Sequence, residues 1–194
     1  AMSLKKKWDI IIVGGGITGA GIFSEAVHAG LSALLLEKKD YAWGTSSRSS
    51  KLVHGGLRYL KQGQIKMTWE SVREREYLKQ KYPGLVYNQE FLMPVFAGSS
   101  PGRLTLKLGL SIYDLIAMKW QHKFIPPGSF TGLEKEIRTL NLKGGFLFSD
   151  AGTDDARLVL RLIFDAVRAG GTALNYTSVT QILRDKTGIA KGVL

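Results

Sequence analysis

Between Asp9 and Gly19 the chain passes from an apolar β-branched run into a glycine-rich turn, and this passage limits the fold more than any other feature. Asp9-Ile10-Ile11-Ile12-Val13 reads as a buried strand of a parallel sheet. Gly14-Gly15-Gly16-Ile17-Thr18-Gly19 ends it, and Ala20–Gly30 reads as a helix closed by Gly30. Ala33-Leu34-Leu35-Leu36-Glu37 is a second buried strand. Together these make one βαβ unit of about 30 residues, which places the chain in the α/β class with a Rossmann-type sheet.

The spacing Gly14-x-Gly16-x-x-Gly19 has a physical reading in this context. Gly14 permits the tight turn, Gly16 lets the backbone approach a diphosphate, and Gly19 lets the helix pack close to the strand. The helix N-terminus then offers free N–H groups and the positive end of the helix dipole, and Ile17 and Thr18 of the loop before it are counted with the glycines as cofactor-binding candidates. Glu37 lies 18 residues past Gly19 at the end of the second strand. A carboxylate there accepts hydrogen bonds from ribose hydroxyls and repels a 2′-phosphate. Composition does not separate NAD from FAD.

Beyond Glu37 the chain is polar and rich in Gly, Ser and Thr as far as Ser50, so a loop is expected. Lys51–Gly56 reads as loop or short extended chain. Thr68–Tyr82 reads as a surface helix, with Glu70, Arg73, Glu74, Arg75 and Glu76 at helical spacing and Val72, Tyr77 and Leu78 as its drier positions. Leu104–Trp120 reads as a helix with an apolar stripe of Leu104, Leu108, Ile112, Leu115 and Ile116, which must be buried or face a second apolar surface. Strands are expected at Phe91–Phe96, Gly145–Ser149, Thr172–Tyr176 and Val179–Leu183, and Pro126-Pro127-Gly128 marks a loop. Thr153–Ala169 reads as an amphipathic helix with Thr153 or Asp154 as its cap and Val159, Ile163, Ala166 and Val167 inward.

Composition narrows the chemistry. With no cysteine the chain has no disulfide, no Cys-ligated zinc, no iron–sulfur cluster and no thiol catalysis. His28, His54 and His122 are not spaced as a metal pair, so no metal site is expected. A net charge of +11 favours anionic partners. The basic residues are scattered without a nucleic-acid-reading motif, so a phosphorylated small molecule or an anionic lipid surface fits better than nucleic acid. Lys5-Lys6-Lys7 reads as a solvated leader or part of a membrane-surface patch. No signal peptide and no stretch of about 20 apolar residues is seen, so a cytoplasmic chain without a span is expected.

One further stretch is far more specific than the glycine loop. Gly44-Thr45-Ser46-Ser47-Arg48-Ser49-Ser50-Lys51-Leu52-Val53-His54-Gly55-Gly56-Leu57-Arg58-Tyr59-Leu60 closely resembles the signature of FAD-dependent glycerol-3-phosphate dehydrogenases and the related glycerol-3-phosphate oxidases. Gly145-Phe146, Ser149-Asp150 and Asp154-Asp155-Ala156-Arg157-Leu158-Val159-Leu160 resemble further family motifs. The resemblance decides for FAD and runs from about Trp8 to the end. It implies a Rossmann-type FAD-binding fold like that of glutathione reductase, with 8–62 and 145–194 as the FAD-binding domain and 63–144 as an inserted segment capping the substrate side. The family's chains are much longer, so an N-terminal fragment of such an enzyme is expected.

The resemblance also implies roles. Thr45, Ser46, Ser50 and Lys51 hydrogen-bond the diphosphate and ribityl chain, and Glu37 and Lys38 lie at the ribose. Leu52, Val53, His54 and Gly55 pass beside the isoalloxazine ring, and Val179 gives a backbone contact to adenine or is an ordinary strand valine. Arg58 and Tyr59 match the family's substrate-contacting pair, and a guanidinium fork suits a phosphate dianion. His54 is the candidate base or a group that tunes the flavin, its ordinary pKa being near neutral. Asp154–Arg157 reads as a helix cap.

The implied reaction is oxidation of sn-glycerol 3-phosphate to dihydroxyacetone phosphate, with hydride transfer to flavin N5. Electrons then pass to a quinone or to dioxygen. The implied setting is cytoplasmic or peripheral at the inner face of the cell membrane, against an anionic lipid surface, with a homodimer as the assembly. The alternatives are an amino-acid or amine oxidase of the same fold and an FAD-binding fragment without catalysis. An NAD-dependent dehydrogenase is more distant, because the Thr45–Tyr59 run has no role in one.

Overall fold

The computed structural model describes residues 7–194, so Lys5 and Lys6 of the basic run lie outside the described residues. In chain order the elements are β1 (Ile10–Val13), α1 (Ile17–His28), β2 (Ala33–Leu36), a 3-10 turn (Thr45–Ser47), β3 (Leu52–Val53), α2 (Leu57–Lys61), α3 (Ile65–Lys81) and β4 (Val86–Phe96). They continue with α4 (Arg103–Ala117), β5 (Lys123–Ile125), α5 (Pro127–Leu133), β6 (Leu142–Thr153), α6 (Asp155–Arg168), β7 (Thr172–Leu174), β8 (Ile182–Arg184) and β9 (Ala190–Val193). The chain divides into two compact units: Ala1–Lys51 with Asp154–Leu194, and Leu52–Thr153. The sequence placed these edges at 62/63 and 144/145. They fall elsewhere because β3 and the far end of β6 pair with each other, Leu52 opposite Gly152 and Val53 opposite Ala151.

In the first unit β1, β2 and β7 form a parallel sheet in that order. All four residues of β2 are buried, as expected of a strand with both faces covered. Helices α1 and α6 pack on the sheet and on each other through Phe23, Val27, Val159, Ile163 and Ala166, with Ile12 and Leu35 beneath them. Burying each large apolar side chain of this kind stabilises the fold by about 1.5–3 kcal/mol. Helix α6 starts where its sequence says it should: Asp154 Oδ1 accepts from Arg157 N at 3.1 Å. Its Val167, expected inward, is instead 40% exposed, and Leu158 takes a buried place. Helix α1 begins at Ile17, three residues before the expected Ala20, because Gly16 adopts the extended N-cap conformation inside the loop itself.

In the second unit β6 is the spine of an antiparallel sheet. Strand β4 pairs along one edge from Val86–Thr153 to Phe96–Leu142, and β3 and β5 pair with it as well. Both long strands exceed their expected lengths. Two short helices were not expected. Helix α5 begins with Pro127 in its first turn, where the missing N–H costs nothing, so Pro-Pro-Gly opens a helix and not a loop. Helix α2 has only five residues, too few for a periodic signal.

Helix α4 turns the apolar stripe read from its sequence outward and not into the core. Leu110 and Tyr113 are buried, whereas Leu104 is 82% and Leu115 73% exposed. Strand β8 begins at Ile182, so Val179 lies outside any strand.

Candidate functional site

The glycine loop of the first unit has the geometry of a nucleotide cradle. Gly14 holds φ +111° and donates its N–H to Leu36 O at 2.8 Å. A Cβ on Gly19 would collide with the Gly14 carbonyl oxygen, so α1 can approach β1 this closely only with glycine there. Ser46 Oγ accepts from Ile17 N at 2.9 Å. No side chain of Gly16 caps the helix, and no acid stands in its first turn. A helix start with no acid in its first turn, where the donated N–H of Ile17 is met by a neutral hydroxyl only, suits an anion.

Glu37 is oriented by the backbone on both sides. Its Oε2 accepts from Gly15 N at 2.7 Å and its Oε1 from Lys39 N at 2.8 Å. Each carboxylate oxygen has a second lone pair, so ribose hydroxyls could still be accepted by a group already fixed in place. Lys38 is exposed beside it. The segment after β7 crosses the end of β2: Thr177 N donates to Glu37 O at 2.8 Å and Tyr176 N to Lys39 O at 3.0 Å. Val179 lies two residues further on and is half-buried. These residues fit a dinucleotide with free ribose hydroxyls.

The Ser/Thr-rich loop is tied to the start of α6. Asp155 accepts from Ser49 Oγ at 2.7 Å, Ser49 N at 3.2 Å and Lys51 Nζ at 2.5 Å. Burial works against its charge, but the bonds from Lys51, Ser49 and Ala156 outweigh it, and the carboxyl is held down at about 2. Lys51, expected at the diphosphate, is thus engaged with Asp155, while Thr45 and Ser50 are exposed. Arg48 Nη1 donates to Trp43 O at 2.6 Å, and Lys39 and Arg48 both lie over the Trp43 ring.

In the second unit Leu52 and Val53 are half-buried in β3, and His54 is exposed after them. Tyr59 lies edge-on to His54, ring centroids 6.0 Å apart. His54 lines a cleft with Leu52, Val53, Glu70, Ser71, Glu74 and Arg75. Arg58 lines a different, largely apolar cleft with Lys61, Leu57, Leu60, Met93 and Leu106. Of the three candidate catalytic residues, the structure brings His54 and Tyr59 together and turns Arg58 elsewhere.

The sequence reading missed a buried cluster beneath this segment. Arg75, read as one of the surface charges of α3, is 3% exposed. Its Nη1 donates to Asp150 Oδ1 at 3.0 Å and to Tyr113 Oη at 2.8 Å. The Tyr113 hydroxyl donates to Asp150 Oδ2 at 3.3 Å. Asp150 also accepts from Gly55 N at 2.9 Å and Ala151 N at 3.0 Å. Burial and the Asp150 charge push the Tyr113 phenol well up, so it stays protonated. Burial acts to lower the Arg75 pKa, but Tyr113, Asp150 and Glu76 outweigh it and keep the guanidinium charged. The available signal was Asp150 itself, the one acid in a largely apolar strand, at a position already part of a family-like motif.

The FAD dependent oxidoreductase family profile matches residues 9–193. The chain belongs to the FAD-dependent oxidoreductase family. The cofactor of that family is FAD, which the loop geometry fits. Among curated proteins the chain is 41% identical over 193 residues to the aerobic glycerol-3-phosphate dehydrogenase of Bacillus subtilis (strain 168), covering 98% of this chain and 35% of that protein. It therefore spans about a third of the length of such relatives. Among solved structures it resembles the glycerol-3-phosphate dehydrogenase from Bacillus halodurans complexed with FAD, with a TM-score of 0.73 and 32% identity over 97% of this chain and 30% of that one. The L-proline dehydrogenase from P. horikoshii, at 20% identity and a TM-score of 0.71 over 98% of this chain and 49% of that one, shares the fold. The α/β, Rossmann-type architecture expected from the glycine loop stands.

Proposed function

We propose that this chain is the nucleotide-binding portion of a flavoenzyme that oxidises sn-glycerol 3-phosphate to dihydroxyacetone phosphate. The observation that carries the substrate is the 41% identity to an aerobic glycerol-3-phosphate dehydrogenase across 98% of the chain. When bound, FAD supplies the hydride acceptor at its N5. The start of α1 and Glu37 hold the diphosphate and ribose. His54 accepts the proton of the secondary hydroxyl at an imidazole nitrogen, and Tyr59 beside it donates a hydrogen bond to the substrate. Arg58, which with Lys61 lines a cleft separate from that of His54, would have to swing toward His54 to bind the phosphate dianion of the same substrate.

Delivery of electrons to a quinone or dioxygen and a contact with an anionic lipid surface complete this reading. Exposed Leu104, Leu108, Leu115 and Met118 lie on or at the end of α4 with Lys107 among them, an apolar and basic pattern that suits an interface. Among the described residues no helix is long and apolar enough to cross a membrane.

The test is anaerobic mixing of the full-length, FAD-loaded protein with glycerol 3-phosphate while the oxidised-flavin absorbance is followed. Bleaching is expected. Bleaching by an amino acid or amine in place of glycerol 3-phosphate would overturn the substrate. A flavin that no substrate of these classes reduces would favour a binding role without catalysis.

A further inference from the structure

We infer that Asp150 is a positioning residue for the His54-Gly55-Gly56 segment, clamped by Arg75 and Tyr113 and acting through the Gly55 N–H. The inference rests on the reading above, in which His54 serves the substrate.

Gly55 has no side chain with which to anchor its own turn, and the structure explains why it cannot have one. A Cβ there would collide with Tyr113 Oη and come within 2.9 Å of Arg75 Nη1. The space that a side chain would fill is taken by the clamp, and the clamp returns a hydrogen bond to the backbone at the same residue. The partners come from four separate places: α3 brings Arg75, α4 brings Tyr113, β6 brings Asp150, and the segment after β3 brings Gly55. Their exposures are 3%, 2% and 7% for Arg75, Tyr113 and Asp150, so the bonds form away from water.

A buried ionic cluster of this kind is weak evidence for stability, because well-packed apolar residues could replace it at little cost. What it supplies is direction. Asp150 receives Arg75 and Gly55 on Oδ1 and Tyr113 on Oδ2, so the carboxylate cannot rotate without breaking a bond. Glu76 steadies the other side of the Arg75 guanidinium at 3.1 Å and is itself bound by Lys119 at 2.6 Å. This arrangement acts through the backbone at Gly55. It fixes the residue that follows His54, and through it the backbone from which the imidazole projects.

The experiment compares the full-length FAD-loaded protein with its Asp150→Asn and Tyr113→Phe variants. Steady-state kinetics with glycerol 3-phosphate and the visible absorption band of the bound flavin are measured on each. Asp150→Asn keeps the shape and removes the charge that orients Arg75. It is expected to lower kcat by at least about tenfold with KM changed by less than about twofold, since small displacements at a reacting centre cost rate before affinity. Tyr113→Phe removes one hydroxyl and is expected to lower kcat in the same direction by a smaller factor. Both should shift the flavin band relative to wild type. An Asp150→Asn protein with wild-type kcat and an unchanged band would overturn the inference. So would equal loss of kcat and FAD content, which marks a merely structural role. Wild-type protein that glycerol 3-phosphate never bleaches sinks the functional reading instead, and the flavin band of the variants then decides the positioning role alone.

Discussion

The glycine loop of the first unit and the His54–Gly56 segment of the second are both backbone turns fixed by carboxylates, yet they are fixed in different ways. Glu37 reaches the loop from the end of the neighbouring strand and meets Gly15 N and Lys39 N at a half-exposed site. Its partners lie within 22 residues, and a glycine pattern announces them. Asp150 reaches Gly55 across 95 residues of sequence, and its own partners Arg75 and Tyr113 lie 75 and 37 residues away. The first device is local and leaves polar groups open to a ligand. The second is a closed, buried network whose members satisfy one another. A site that must receive charge is left unfinished by the fold, whereas a site that must hold geometry is completed by it.

The largest expected effect breaks the second device. Arg75→Ala leaves the Asp150 carboxylate buried without its cation and should cost about 3–5 kcal/mol of unfolding free energy in denaturant titration. The pair Arg75→Met with Asp150→Leu should recover most of that loss. A double variant as unstable as the single one would mean the cluster is a source of stability, and the contrast with the loop would fail.

Gly19→Val probes the first device. The added branched side chain has no space against the Gly14 carbonyl, so FAD affinity measured by titration should fall at least about a hundredfold. Affinity within a few-fold of wild type would show that the loop tolerates a wider approach of α1.

The smallest effect comes from Asp155, which ties the Ser/Thr-rich loop to α6. Its carboxyl sits at about 2 against an ordinary 3.8, so its contribution is complete above the ordinary value and is lost as the pH falls from there through about 2. With its partner Lys51 half exposed, the contribution is about 1 kcal/mol after screening. Asp155→Asn should flatten the stability–pH curve across that window and leave it unchanged near neutrality in slope. An unchanged acid limb would remove Asp155 from the account.

What the sequence determined about this protein is what short-range chemistry determines. The β1-α1-β2 unit was legible because an apolar strand, a glycine turn and a helix must follow one another within a few residues. The place of Glu37 directly after β2 was legible because strand length fixes where its end falls. The start of α6 was legible because Asp154 caps from its own position, a contact three residues long. The His54–Tyr59 neighbourhood was carried by a contiguous run of residues.

Tertiary structure decided the rest. Nothing in the charge pattern of α3 separates Arg75 from Arg73, since burial is conferred by α4 and β6 arriving from far along the chain. The facing of α4 was equally open, because Leu104, Leu108, Ile112 and Leu115 make as good an inward stripe as Leu106, Leu110 and Tyr113, and only packing against β6 and its neighbours chose between them. Arg58 and Tyr59 are adjacent in sequence but point into different surroundings, because successive residues of a helix diverge by about 100°. A motif specifies which residues are available, and the elements that converge on it specify which way they face.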